Sequence, residues 1–145
     1  MDTMNDATFT EADAARAWAS AYNTLDPSPL ETILAEDVRV MSRWVVNDLV
    51  GRAAYLAYLV AKFATFERVG AAVRVEIGEA PGDSDESPGR PCALIEQDGS
   101  LLATVFFDVL GGRISQISIG PNPPPARCRQ LGEAPGFASG SETVN

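Results

Sequence analysis

The chain contains no histidine. That removes triads built on an imidazole, histidine zinc ligands and the commonest general base near neutral pH. Cysteine is nearly as scarce. Cys92 and Cys128 stand far apart and form no C-x-x-C pair, so they read as free thiols in a reducing compartment rather than as a disulfide framework or metal site. Positive charge is short as well: 11 basic residues against 20 acidic ones leave a formal charge of -9, and Lys62 is the only lysine. Such a surface is repelled by phosphate backbones and anionic lipid heads, which argues against nucleic-acid and membrane partners. No apolar run approaches the roughly 18 residues that span a bilayer. The opening MDTMNDATFT has neither the basic residue nor the apolar core of a signal peptide. The expectation is a cytoplasmic protein without metal or cofactor.

What is present suffices for one domain. With 145 residues, 46% of them hydrophobic, the chain can bury roughly two thirds of the surface it exposes when unfolded. Residues 1–9 are polar and read as a flexible N-terminus, and residues 10–120 carry the apolar periodicity. The remainder, PNPPPARCRQLGEAPGFASGSETVN, is rich in Pro, Gly and Ser. Residues 121–145 therefore read as a disordered tail, whose run from Pro123 to Pro125 cannot continue a strand.

Helical signals come first. Thr10 caps a stripe of Ala14, Ala17, Trp18, Ala21, Tyr22 and Leu25, with Asp13 in the first turn. Ser28, Pro29 and Glu31 spell a second start, a short helix ending near Ala35. Val38, Val40, Ser42, Trp44 and Val46 then share one side of an extended segment. A third helix runs from Gly51 to about Glu67, with Tyr55, Leu56, Leu59, Val60, Phe63 and Phe66 on a broad face and Gly70 ending it. Beyond it Val73, Val75 and Ile77 alternate with Arg74 and Glu76. Asp98-Gly99 and Gly111-Gly112 are hairpin signals that join strands at 92–97, 100–110 and 113–119. Helices followed by an antiparallel meander make an α+β domain.

If each hairpin loop has two residues, the register follows, and register decides the faces. One face then holds Cys92, Leu94, Glu96, Leu101, Ala103, Val105, Phe107, Val109, Ile114, Gln116 and Ser118. The other holds Ala93, Ile95, Gln97, Leu102, Thr104, Phe106, Asp108, Leu110, Ser115, Ile117 and Ile119. Both are substantially apolar. Helices cover one of them, and the other calls for a partner. A homodimer packed through this outer sheet face, with Phe106, Ile117 and Ile119 near its centre, supplies one. The alternative is that the C-terminal tail folds back over it. On the first face, Gln116 and Ser118 set into an apolar wall read as pocket lining, or else as side chains bonded to buried backbone or water.

A helix ending in an Asn23-x-x-Asp26 step leads into a short helix ending Leu34-Ala35-Glu36-Asp37-Val38. A strand, Gly51-Arg52 with a long helix, and a four-strand meander follow. In this order the chain resembles the nuclear-transport-factor-2-like superfamily, which includes ketosteroid isomerases, polyketide cyclases, scytalone dehydratase and limonene epoxide hydrolase. The resemblance spans residues 10 to about 120. It implies a cone-shaped curved antiparallel sheet wrapped around three N-terminal helices, a deep pocket open at one end, and frequent dimers. Its catalytic residues do not carry over. The position of the isomerases' helix-one Tyr is matched by Trp18, that of the strand base by Ser42 and that of the meander acid by Val105. With no base and no oxyanion donor pair, the resemblance implies no steroid-type isomerisation. The histidines of the dehydratase are missing, and the acids fall outside an Asp-Arg-Asp set like that of the epoxide hydrolase.

Eight residues are candidates for a ligand site: Trp18, Tyr22, Ser42, Trp44, Tyr55, Phe107, Gln116 and Ser118. None is assigned a catalytic role. Glu96 and Asp108, acids inside apolar strands, read first as solvated or interface carboxylates. Asn47 and Asp48 rim the pocket mouth or form a turn. Asp83-Ser84-Asp85-Glu86 is a solvated loop without calcium-loop spacing. Two functions stay open. One is capture of a small, largely apolar molecule, with or without isomerase-, cyclase- or hydrolase-type acid–base chemistry. The other is a non-catalytic dimerisation or protein-interaction module whose pocket is plugged by aromatics. Polar groups in the wall favour the first.

Overall fold

A computed structural model describes residues 9–44, 47–82 and 89–136. Thr10 and Asp13 form a reciprocal capping box that starts helix α1 (Glu11–Thr24), and Leu25 ends it in the left-handed conformation. The second expected helix shrinks to a single 3-10 turn, Ser28–Leu30. The Asp26 carboxylate accepts from both the Ser28 N–H at 3.0 Å and the Ser28 hydroxyl at 2.7 Å. Ser28 is thus the first residue of the turn rather than its cap, with Pro27 before it and no side-chain cap bond. The chain is extended from Leu34 onward, in strand β1 (Leu34–Ser42). Among the described residues there are thus two α-helices, not three.

Helix α2 (Arg52–Val69) lies between Gly51 and the left-handed Gly70. The remaining strands are β2 (Leu49–Val50), β3 (Val73–Ala80), β4 (Arg90–Gln97), β5 (Ser100–Leu110), β6 (Arg113–Gly120) and β7 (Arg129–Gln130). They form one seven-stranded sheet in the order β2-β1-β6-β5-β4-β3-β7. The sheet is curved and does not close, since β2 and β7 stay apart as its edges. Strand β1 runs parallel to β6, and the other pairs are antiparallel. Helix α1 lies over β3 to β5, and α2 over β1 and β2.

Both hairpins have their expected two-residue loops, with positive φ at Asp98, Gly99, Gly111 and Gly112. Past the turns, the expected register fails. Gln97 faces Ser100 and Glu96 faces Leu101, but Ile95 faces Ala103, so Leu102 is an unpaired bulge. Ser115 does the same in β6: Val109 faces Ile114 while Asp108 faces Gln116. Each extra residue moves everything beyond it to the opposite face. The inner face therefore holds Ala93, Ile95, Ile117 and Ile119 beside the expected Ala103, Val105, Phe107 and Ile114. Cys92, Leu94, Gln116 and Ser118 turn outward, and Ile117, expected at the centre of a dimer, is fully buried inside. Ile119 is also on the inner side.

Residues 121–136, expected within a disordered tail, cross the outer face. Pro123 accepts from the Thr104 hydroxyl at 2.7 Å. Pro125 begins a 3-10 turn ending at Arg127, and Cys128 packs into a small cluster with Ala80, Cys92 and Leu94. Strand β7 then pairs with β3, and Leu131 and Glu133 continue the backbone bonding to Ile77. A Cβ on Gly78 would meet Leu94 Cδ1 at 2.6 Å and the Arg129 carbonyl at 3.0 Å, so this crossing requires glycine there. Asn23 binds the segment from the other side. Its Nδ2 donates to the Val75 and Pro135 carbonyls at 2.9 Å each, and its Oδ1 accepts from the Val75 N–H at 2.8 Å. The proline-rich composition proved compatible with order because the segment's backbone groups found partners on β3 and β5. Residues 1–8, 137–145 and the acidic run from Asp83 to Glu86 lie outside the described residues. No helix among the described residues is long and apolar enough to cross a membrane.

Candidate functional site

The inner face has a closed half and an open half. Under α1, Trp18 stacks on Tyr22 with ring centroids 4.1 Å apart and meets Phe107 edge-on at 5.7 Å. Trp18 and Phe107 are fully buried there. Toward α2 and the end of β1 the packing opens into a cavity of about 610 Å³. That is within the range of small-molecule sites, about 300–1,000 Å³.

Helix α2 builds one wall. Tyr55, Tyr58, Lys62 and Phe66 all line the cavity, and their spacing of three, four and four residues makes one helical stripe. The neighbouring stripe, Leu59 and Phe63, is buried in the core. Val60, expected on the buried face, is 57% exposed because it points away from both stripes. The sheet supplies Val40, Leu49, Ile95 and Ile119, and the Leu102 bulge places its side chain at the cavity too. Ser42, Asn47 and Gln97 are the uncharged polar residues of the lining besides the tyrosines.

Four of the eight expected site residues line this space: Tyr22, Ser42, Trp44 and Tyr55. Trp44 is not on the strand, which ends at Ser42; it follows in the turn and is 61% exposed. Trp18 stands behind the wall, and its indole N–H donates to the Tyr55 hydroxyl at 2.9 Å. Phe107 stands behind Trp18 as core. Gln116 and Ser118 are on the other side of the sheet, where the Gln116 amide donates to the Asp108 carboxylate at 3.1 Å and Ser118 faces Phe106 across the strands. The bulge at Ser115 is the reason for both misplacements. Tyr58, Lys62 and Gln97 were missed, although the helical spacing from Tyr55 to Phe66 already places Tyr58 and Lys62 on one stripe.

Among the described residues no carboxylate is in the lining, and Lys62 is its one charged residue. The candidate acids are paired elsewhere: Asp108 with Arg90 at 2.9 Å, Asp48 with Arg39 at 3.4 Å and Glu96 with Arg74 at 3.9 Å. Burial pushes the Tyr22 phenol well above its ordinary value, and the nearby Tyr55 and Tyr58 hydroxyls push it further. Tyr55 is raised in the same way by burial, against the opposing hydrogen bond from Trp18. Both phenols therefore keep their protons at neutral pH. The site offers apolar walls, neutral hydrogen-bonding groups and one ammonium. Among the described residues it offers no carboxylate or imidazole to act as a general base.

No protein-family model matches the chain, and no curated protein matches it. Solved structures do share its fold. A snoal-like protein of unknown function from Burkholderia thailandensis E264 superposes with a TM-score of 0.56 at 17% identity, covering 82% of this chain and 97% of that one. An NTF2-like protein of unknown function from Cytophaga hutchinsonii ATCC 33406 gives 0.52 at 14% identity, covering 85% and 97%. A protein from Kribbella flavida DSM 17836 gives 0.52 at 19% identity, covering 77% and 86%.

Proposed function

We propose that this nuclear-transport-factor-2-like fold holds a small, largely apolar molecule in the cavity between α2 and the sheet, and that it does so by non-covalent capture. The supporting observation is the lining itself: about 610 Å³ of space walled mainly by apolar and aromatic side chains, with a few polar groups to orient a guest. A core plugged by its aromatics would leave no such volume, which counts against the interaction-module alternative. Isomerase-, cyclase- or hydrolase-type turnover needs a proton acceptor within reach of the guest. Among the described residues the lining has no carboxylate, the chain has no histidine, and the buried tyrosines hold their protons.

Native mass spectrometry of the full chain purified without added ligand tests the proposal. A reproducible small-molecule adduct is expected. The variant Leu102→Trp, which grows the bulge residue into the cavity, should abolish the adduct while the circular dichroism spectrum stays unchanged. A bare protein that also fails to take up an apolar aromatic amide such as naphthamide would overturn the proposal.

A further inference from the structure

We infer that the guest is an aromatic monoanion, an arene carrying one carboxylate, and that Lys62 receives its charge. This rests on the capture proposed above and gives it a substrate class. Lys62 is the only lysine of a chain with formal charge -9, and it is the one charged residue of the cavity lining. Its Nζ stands 5.5 Å from the Tyr58 ring centroid and 5.3 Å from that of Phe66. Those ring faces hold the ammonium at the wall by their quadrupoles. They are weak acceptors, so its N–H donors still have capacity for an oxygen.

Five of the ten arginines are paired with acids, and Lys62 is set apart by its place in the cavity lining rather than by lacking a pair. Arg16, Arg39, Arg74, Arg90 and Arg129 each lie within 4.0 Å of a carboxylate, at distances from 2.9 to 3.9 Å. Among the described residues no carboxylate makes such a pair with Lys62. With 20 acidic residues against 11 basic ones, acids are the commoner partner, yet this cation faces a cavity whose described lining holds none. Within this cavity a guest with one acidic group has one charged side chain to meet among the described residues, Lys62. The apolar part of the guest meets a wall rich in aromatic side chains. Tyr55 and Tyr58 stack with centroids 6.2 Å apart and 16° between planes, and Phe66 and Trp44 complete an aromatic wall.

The test titrates the full chain with naphthoate and with its uncharged amide, naphthamide, by calorimetry and by tryptophan fluorescence. The wild type should bind naphthoate about tenfold more tightly than naphthamide, the scale expected for a hydrogen bond to a charged group. Lys62→Met, which keeps the stem and removes the charge, should erase the preference by weakening naphthoate alone. Lys62→Arg should restore most of it. Naphthamide binding as tightly as naphthoate to the wild type, or an unchanged ratio in Lys62→Met, overturns the charge assignment and leaves the capture proposal standing. Binding of neither compound overturns both. Equal affinity for decanoate overturns the aromatic half of the inference.

Discussion

The two faces of the sheet both carry apolar residues, and they are buried by different means. The inner face is covered by α1 and α2, which enclose a core from Ala14 to Ile117 and leave one end open as the cavity. Among the described residues no α-helix covers the outer face. Its small cluster of Ala80, Cys92, Leu94 and Cys128 is sealed by residues 121–136 of the same chain. Helices are stiff and amphipathic, so where their curvature departs from that of the sheet they leave a space that side chains do not fill. An extended segment follows the sheet closely through backbone hydrogen bonds and leaves less room. The difference is one of degree: the helix-covered face holds a cavity of about 610 Å³ and the outer face, beside the crossing segment at Pro121 and Asn122, one of about 330 Å³.

Trp18→Ala should produce the largest change, a loss of about 3–5 kcal/mol, because it empties the closed half of the inner face and removes the donor to Tyr55. Chemical denaturation measures it, and a loss under 1 kcal/mol would mean the closed half is not packed as described. Truncation after Gly120 attacks the other face. It removes the partners of Thr104, Ile77 and Asn23 and uncovers Cys92 and Leu94, for an expected cost of about 2–4 kcal/mol.

The thiols sharpen the same comparison. Burial, with Cys128 beside it, pushes the Cys92 thiol up to about 12, so native protein at pH 8 should resist alkylation and the truncated chain should not. Raising the pH has a defined sign here. A pKa raised by folding contributes stability that is complete below the unfolded value near 9 and is lost as the pH climbs toward 12. Thermal melts across that range should fall more steeply for the wild type than for Cys92→Ala.

Trp44→Phe should weaken binding of naphthoate several-fold while the melting temperature stays within a few degrees, because the indole is 61% exposed in a turn. A large loss of stability with unchanged binding would place Trp44 in the core instead. Asp26→Asn should have the smallest effect. The Ser28 N–H and hydroxyl hold the Asp26 carboxyl below its ordinary value of 3.8. Its contribution is therefore present above that value and lost as the pH falls through the lower folded one. The difference between Asp26→Asn and wild type should vanish in acid.

The candidate site was half legible. Tyr22 and Tyr55 were found because helical periodicity marks inward positions, and Ser42 because it alternates with Val40 on β1. Gln116 and Ser118 were misplaced by a single residue, Ser115, whose bulge has no signature in a sequence that reads as regular alternation. Lys62 was passed over because a lysine on an amphipathic helix ordinarily marks the solvent side.

What the sequence determined by itself is local in its physics. The capping box at Thr10 and Asp13, the left-handed Gly70, the two hairpin turns and the α+β order all depend on residues within a few positions of one another. What only the tertiary structure decided depends on partners far along the chain. The bulges at Leu102 and Ser115 arise where a strand must satisfy two neighbours and the sheet's curvature together. Residues 121–136 found their place because β3 had an edge to pair and the Asn23 amide an N–H to donate to the Pro135 carbonyl. The cavity exists because α2 packs over β1 and β2 while α1 packs over β3 to β5, a division of cover that no single segment encodes.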